Sequence, residues 1–139
     1  IAAERAASGE YGELSNLRFV IDTADNLLHM LGRGTVDTIL LNFSDPWPKK
    51  KQAKRRLTYR GFLELYRKLL KDGGALVLKT DNVGLFDFSL EEFEAFGLEF
   101  LMQTRDLHNA EYAEGNVMTE YEKNFSEKGF TINSAIVRF

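Results

Sequence analysis

Apolar stretches of strand length alternate with segments of helical period along this chain. Short apolar runs predict five strands, over residues 17–21, 36–43, 75–80, 98–105 and 131–139. Apolar residues spaced three and four apart predict helices over residues 26–31, 57–70, 85–97 and 120–125. Nearly continuous apolar strands that alternate with helices are typical of a parallel sheet covered on both faces. The last two strands lack a helix-length crossover of the earlier kind, which favours an antiparallel edge there.

Acidic side chains follow the first three predicted strands, at the points where those strands end. These acids are Asp22, Asp45 and Asp81. Ligands of open α/β sheets bind beyond the carboxyl ends of the strands, so the three acids are expected to converge on one cleft. Asp22 or Asp45 could instead cap a following helix.

The loop that carries Asp45 is stiff. Pro46 and Pro48 flank Trp47 and hold the backbone extended, which makes Asp45 the least suited of the three acids to capping a helix. A rigid loop with one acid and one large aromatic ring is suited to positioning a planar ligand.

Positive charge is concentrated in the segment that follows this loop. Residues 46–60 hold seven of the 18 lysines and arginines and none of the 21 acids, although the net charge of the chain is −3. Basic residues gain affinity for a polyanion by releasing its counterions, so the strip predicts a partner that carries phosphates. The alternative interpretation is the solvated start of a helix, with no partner.

Length and composition limit the remaining possibilities. With 139 residues, of which 44% are hydrophobic, the chain is expected to form one domain with a sizeable core. The absence of cysteine excludes disulfides, thiolate metal ligands and a cysteine nucleophile. His29 and His108 lie too far apart in the sequence to predict a metal site. No apolar run is long enough to span a bilayer and no signal peptide is evident, so a cytoplasmic protein without a membrane anchor is expected.

Four segments, in this order, resemble the bacterial tRNA (guanine-N7-)-methyltransferases: NFSDPWPKKKQAKRRLTYRGFL, KTDNVGLFDFSL, DLH and NVMTEYEKNFSEKG. The resemblance extends from about Arg18 to Gly129. It implies an α/β fold, with a Rossmann-like class I methyltransferase sheet covered by helices on both faces. It also implies transfer of a methyl group from S-adenosylmethionine to N7 of guanosine 46 in the variable loop of tRNA, by a monomer or a homodimer.

The resemblance also implies roles for individual residues. Asp45 matches the catalytic acid, which also lies against the cofactor, and Asp22 matches the position that holds the cofactor's adenine. Positions that match substrate-binding residues are Lys49, Asp81, Thr119, Glu120, Tyr121 and Glu122. Positions that match the RNA-contacting segment are Lys51, Gln52, Ala53, Lys54, Arg55 and Arg56.

The chemistry of guanine N7 agrees with this assignment. N7 carries a lone pair and no proton, so methyl transfer from a sulfonium is an in-line displacement that requires alignment more than a general base. A cysteine nucleophile, which methylation of a pyrimidine carbon would require, is not needed. A carboxylate would hold the base while the lysines and arginines contact its phosphates.

Two features of the family pattern are absent from the sequence. The acidic, glycine-rich turn after the first strand is missing, as is the acid after the second strand that binds the ribose. The chain is therefore expected to be a single partial domain, residues 1–139, that lacks the first strands of the sheet and binds the cofactor poorly by itself.

Two other functions stay open at this point. A non-catalytic RNA-binding module would explain the basic strip and Trp47, but it gives no reason for the TDN and TEYE motifs. A class I methyltransferase acting on another nucleobase, for instance on an exocyclic amine, would explain the SDPW motif alone.

Overall fold

The structure, a computed structural model, describes all residues, 1–139. It contains a four-stranded sheet with strands β1 (Val36–Asn42), β2 (Leu70–Thr80), β3 (Glu99–Thr104) and β4 (Asn133–Arg138). The helices are α1 (Ala2–Ala7), α2 (Leu27–Leu31), α3 (Arg60–Leu69), α4 (Val83–Ala95) and α5 (Glu120–Glu127). No helix has both the length and the apolar character needed to span a bilayer.

The strands lie in the order β1-β2-β4-β3. β1 and β2 are parallel, and Leu41 pairs with Leu78. β4 is antiparallel to both of its neighbours, β2 and β3. The antiparallel end of the sheet is thus confirmed, with β3 at the edge and the last strand of the chain inserted beside β2.

The main core lies between one face of the sheet and helices α3 and α4. Its buried side chains alternate along each strand, because successive residues of a strand point to opposite faces. Each large apolar side chain buried in this way contributes about 1.5–3 kcal/mol. The core residues are Leu41, Leu63, Tyr66, Leu69, Leu70, Leu76, Leu78, Phe86, Phe93, Leu98, Ala135 and Val137.

Polar contacts fix α3 against α4 above this core. Tyr59, which precedes α3, provides no capping side chain, and Glu92 of α4 instead accepts a hydrogen bond from the backbone N of Arg60 at 2.7 Å. The Arg60 side chain donates to the same carboxylate. One turn away, the buried hydroxyls of Thr58 and Ser89 lie 2.7 Å apart.

The other face of the sheet is only partly covered. Residues 105–132, which include α5, pack over β3, where Met102, Leu107 and Ile132 form a small second core. Beside them an open groove of about 430 Å³ remains, with Val77 and Ile136 among the strand residues that line it.

The strand predicted over residues 17–21 is wrong. The segment has no strand pairing, and Val20 and Ile21 are exposed. A strand is stable only when a neighbouring strand satisfies its backbone groups, and none of the four strands pairs with this segment.

The end of the helix predicted over residues 57–70 also differs. α3 ends at Leu69, and β2 begins directly at Leu70. Asp72, Gly73 and Gly74, which are typical of the end of a helix, lie instead in an irregularity within β2, where the partners of Val36 and Thr38 are Leu70 and Ala75. Glycine is required at position 74, because a Cβ there would lie 2.9 Å from both Leu70 Cβ and Lys71 O.

Candidate functional site

The parallel strands β1 and β2 end at the same edge of the sheet. Residues 44–48, called the Asp45 loop here, are connected to the end of β1 by Phe43, and Asp81 follows β2 directly. Phe43 donates its backbone N–H to the carbonyl of Lys79 at 2.9 Å, which ties the start of the loop to the end of β2. The edge is the position at which open α/β sheets bind ligands.

The backbone is strained on both sides of Asp45. Phe43, with a φ of 54°, and Trp47, with a φ of 43°, are the only residues other than glycine with a positive φ. Bulky residues adopt this conformation rarely and at a cost, and such positions cluster at functional sites. The Ser44 hydroxyl, next to Asp45, is buried and has no hydrogen-bond partner. Asp45 itself is exposed.

Aromatic rings connect the end of β1 to α5. The Phe43 ring lies 4.5 Å from the Tyr121 ring, which stacks on Phe125 at 4.3 Å. The Tyr121 hydroxyl lies 3.5 Å from Asp81 Oδ1, a long contact for a hydrogen bond. Partial burial and the nearby Asp81 carboxylate raise the pKa of Tyr121. The structure therefore brings Asp81 and Tyr121 together beside the Asp45 loop.

Glu122 lies at the centre of a buried polar cluster. Its side chain is fully buried and accepts from Lys79 Nζ at 3.0 Å and Asn116 Nδ2 at 2.7 Å. Glu122 Oε1 also lies 2.6 Å from His108 Nε2. Burial acts to raise the pKa of the Glu122 carboxyl, but the hydrogen bonds from His108, Lys79 and Asn116 outweigh it and lower the pKa. Thr119 and Glu122 form a capping box that starts α5.

Glu120 lies apart from this cluster. Its side chain is exposed and forms an ion pair with Arg5 of α1, at 3.2 Å. Of the four residues from Thr119 to Glu122, Tyr121 is the one that contacts both Phe43 and Asp81.

Asp22 makes only local hydrogen bonds. Its Oδ1 accepts from the backbone N of Thr23 at 2.7 Å and from Asn26 Nδ2 at 2.8 Å, and this fixes the turn before α2. No hydrogen bond connects it to Asp45 or Asp81. The predicted cleft of three acids is thus reduced to the two that follow β1 and β2, since residues 17–21 are not part of the sheet.

The basic segment, residues 49–56, continues from the Asp45 loop as a 3₁₀ helix, Lys50–Arg55. Its lysines are exposed, and their side chains form no hydrogen bond or ion pair: Lys49, Lys50, Lys51 and Lys54. Gln52 and Ala53 are half-buried. Arg55 is exposed, and its guanidinium lies 4.9 Å from the centre of the Trp47 ring. Arg56 is half-buried and donates to the carbonyls of Pro46 and Trp47.

Comparison with known proteins identifies the family. The family described as a putative methyltransferase matches residues 2–135. The chain belongs to this methyltransferase family. The Rossmann-like, class I methyltransferase fold of the α/β class that the sequence predicts is thereby confirmed.

Similar proteins carry related descriptions. The chain is 50% identical over 127 residues to the tRNA (guanine-N(7)-)-methyltransferase of Geobacillus sp. (strain WCH70), a match that covers 91% of this chain and 57% of that protein. The chain therefore spans a little over half the length of this relative.

Two solved methyltransferase structures are also similar, each with a TM-score of 0.48. The aminoglycoside resistance methyltransferase NpmB1 is 18% identical, with 86% of this chain and 59% of NpmB1 covered. A SAM dependent methyltransferase from Archaeoglobus fulgidus is 13% identical, with 94% and 71% covered.

The residues at this edge fit part of the methyl donor that the methyltransferase family resemblance implies. S-adenosylmethionine carries ribose hydroxyls and an adenine amine, and carboxylates accept hydrogen bonds from both kinds of group. The exposed Asp45 carboxylate is a group of this kind, and the Ser44 hydroxyl beside it is a buried polar group without a hydrogen-bond partner. No glycine-rich turn follows β1 or β2, so the donor's methionine end has no such cradle among residues 1–139.

The apolar pattern of the sequence does not indicate the three polar residues that surround Glu122. Lys79 lies within an apolar strand, His108 stands alone, and Asn116 falls in an irregular segment. All three side chains contact Glu122. Each lies within one of the quoted motifs, Lys79 in KTDN, His108 in DLH and Asn116 at the start of NVMTEYE, but the motifs alone do not show this contact.

Proposed function

We propose that the protein is a tRNA (guanine-N7-)-methyltransferase that uses S-adenosylmethionine and methylates guanosine 46 of the variable loop. The observation that carries the proposal is the exposed carboxylate of Asp45, which lies between two residues with a strained backbone, in a loop that exposed lysines follow directly. The name of the Geobacillus relative supports the same reaction. Residues 1–139 form part of one catalytic domain, which acts in the cytoplasm as a monomer or a homodimer with tRNA as its partner.

Asp45 is the proposed catalytic residue. S-adenosylmethionine supplies a methyl group bonded to a positively charged sulfur. Guanine has hydrogen-bond donors at N1–H and at its amino group. An exposed carboxylate can accept hydrogen bonds from both donors and so orient the ring. A fixed anion also stabilises the positive charge that grows on the purine as N7 is alkylated. Proton removal from N7 is not part of the reaction, so orientation and charge are the contributions required.

Asp81 and the segment from Thr119 to Glu122 form the proposed substrate side of the site. Asp81 lies next to the Tyr121 hydroxyl, and Tyr121 is 43% exposed. Thr119 and Glu122 act through the capping box, which sets the position of Tyr121 at the start of α5. Glu120 lies on the outer side of α5 and Lys49 adjoins the Asp45 loop, and both retain the substrate role as a proposal.

The exposed part of the basic segment is the proposed tRNA contact. Lys51, Lys54 and Arg55 make no bond to a protein acid that would neutralise them. Each charge that meets a phosphate releases counterions and makes the affinity depend on salt. Gln52 and Ala53 fall within the same segment as supporting positions.

Asp22 retains its proposed role at the cofactor's adenine. Its side chain is exposed, and the local hydrogen bonds engage Oδ1. The second carboxylate oxygen can accept the exocyclic amine of adenine.

The direct test is product identification with the whole protein. Labelled S-adenosylmethionine and unmodified tRNA are incubated with it, the tRNA is digested, and the labelled nucleoside is identified. N7-methylguanosine from position 46 is expected. Label on an exocyclic amine would make the protein a methyltransferase of another nucleobase. Binding of tRNA without any label would favour the non-catalytic RNA-binding module.

A further inference from the structure

The side chain of Arg56 points in a different direction from those of the other cations in the basic segment. Its Nε donates to the carbonyl oxygens of Pro46, at 3.1 Å, and Trp47, at 3.2 Å. Its Nη2 donates to the Trp47 carbonyl at 3.0 Å. On the other side, the guanidinium carbon lies 4.4 Å from the centre of the Phe88 ring of α4. The side chain is thus held between the Asp45 loop and a helix of the core.

The backbone of Arg56 is also anchored. Its N–H donates to the carbonyl of Ala53 at 3.1 Å, and the next residue, Leu57, accepts from the buried Tyr66 hydroxyl at 2.9 Å. Thr58 is fully buried beside Ser89. These contacts fix the position of the Arg56 backbone. The side chain of Arg56 therefore points towards the Asp45 loop and not into the solvent.

From this geometry we infer that Arg56 is a positioning residue for the Asp45 loop and not an RNA contact. The left-handed backbone of Trp47 is unfavourable for a bulky residue and persists only where its surroundings impose it. A guanidinium suits this role because its fixed fork of donors can hold two neighbouring carbonyls while its face packs on an aromatic ring. By fixing the carbonyls of Pro46 and Trp47, Arg56 sets the direction of the adjoining Asp45 carboxylate.

The consequence is a division of labour within a single run of cations. Lys51 and Lys54 are exposed and make no protein contact that would compete with a phosphate. Arg56 is engaged by two backbone carbonyls and a ring. Its effect on methyl transfer rests on the proposed function, but its effect on the loop does not.

The test uses Arg56→Lys, which keeps the charge and removes the fork. Trp47 is the only tryptophan in the chain, so its fluorescence reports on this loop alone. Greater quenching of Trp47 by acrylamide is expected in Arg56→Lys, because the loop loses two of its fixed hydrogen bonds. In the whole protein, the single-turnover rate of methyl transfer is expected to fall by about tenfold to a hundredfold, the effect of a small misplacement of a reacting group. The salt dependence of tRNA affinity is expected to stay as in the parent.

Lys54→Ala is the matched control from the same segment. It removes a charge without touching the loop, so Trp47 quenching is expected to stay as in the parent. The plot of log affinity against log salt is expected to become shallower by about 0.7–0.9, because one phosphate contact is lost. Arg56→Lys is therefore expected to change Trp47 quenching and the rate of methyl transfer, whereas Lys54→Ala is expected to change the salt dependence of tRNA binding.

The inference is wrong if Arg56→Lys leaves both Trp47 quenching and the methyl-transfer rate at the parental values. It is equally overturned if Arg56→Met lowers the salt slope as Lys54→Ala does while Trp47 quenching stays unchanged. If the whole protein transfers no methyl group, the proposed function fails, and the quenching of Trp47 still decides whether Arg56 holds the loop. Thermal denaturation of each variant separates global unfolding from a local change.

Discussion

Lys79 Nζ lies 3.0 Å from Glu122 Oε2, and both side chains are almost completely removed from solvent. Lys79 belongs to β2, whereas Glu122 belongs to the first turn of α5. The pair therefore fixes α5, and with it Tyr121, against the end of the strand that leads to Asp81. His108 and Asn116 complete the set of groups around the carboxylate.

Glu122→Gln is expected to destabilise the chain. The substitution leaves Lys79 buried without its anion, and loss of one partner of a buried ion pair costs about 3 kcal/mol or more. The measurement is the free energy of unfolding from urea denaturation. Glu120→Gln is the matched control on the same helix, because its ion pair with Arg5 is exposed to solvent and is expected to contribute little to stability. Equal losses in the two variants would contradict this role for Glu122.

The contribution of Glu122 is expected to depend on pH. Its pKa is lowered in the folded chain, so the stability that it supplies is complete above its unfolded pKa of about 4.3. That stability is lost as the pH falls through the lower pKa of the folded state. A series of urea denaturations below pH 5 should show the difference between parent and Glu122→Gln shrinking. A difference that grows with acid would reverse the sign of the assigned shift.

Asp45→Asn is expected to impair the chemical step. The amide keeps the shape of the side chain and removes the anion, and loss of one preorganised electrostatic partner reduces a rate by about a hundredfold or more. The whole protein is assayed by single-turnover transfer of labelled methyl to tRNA, with tRNA binding measured in parallel and expected to change little. Asp72→Asn, which replaces an exposed acid in the irregular part of β2, is the control. An equal loss of tRNA binding would make Asp45 a recognition residue instead.

Replacing both Lys51 and Lys54 with alanine is expected to weaken tRNA binding in a salt-dependent way. If each lysine neutralises one phosphate, the plot of log affinity against log salt becomes shallower by about 1.4–1.8. The control is Arg33→Ala combined with Lys68→Ala, which removes the same charge outside the basic segment. An identical fall of the slope in the control would mean that net charge alone, and not this segment, determines the affinity.

Ser44→Ala is expected to leave the free energy of unfolding unchanged or to raise it by about 1 kcal/mol. The Ser44 hydroxyl is buried without a partner, so its removal ends a desolvation penalty. Ser134→Ala is the counterpart, because the Ser134 hydroxyl is also buried but donates to the Leu78 carbonyl at 2.9 Å. Its loss should lower the free energy of unfolding by about 1 kcal/mol. Denaturation of the two variants side by side should give changes of different sign or size.

The sequence pattern predicts those elements whose partners are present in the sheet. The apolar periods predict strands β1 and β2 and helix α4, because the apolar side chains at those positions are buried on one face of each element. Residues 17–21 carry an equally apolar pattern, but pairing, not composition, decides whether a strand exists. The motifs likewise locate Asp45 and Asp81 at one edge, since both acids follow a strand that the sheet contains.

The direction of a side chain is what the sequence does not reveal. Lys54 and Arg56 are two residues apart with the same charge, yet one is exposed and the other holds the backbone of Trp47. The partnership of Lys79 and Glu122 joins positions from distant parts of the chain. Such choices depend on packing between elements, which no local period encodes.

The stack of Phe43, Tyr121 and Phe125 makes distant positions interdependent. The left-handed backbone of Phe43 brings its ring to Tyr121, and Tyr121 rests on Phe125. A smaller residue at position 43 would leave a gap that only a larger or shifted residue at position 121 can fill. The two positions are therefore expected to change together as the protein diverges, so the ring at one is inherited with the ring at the other.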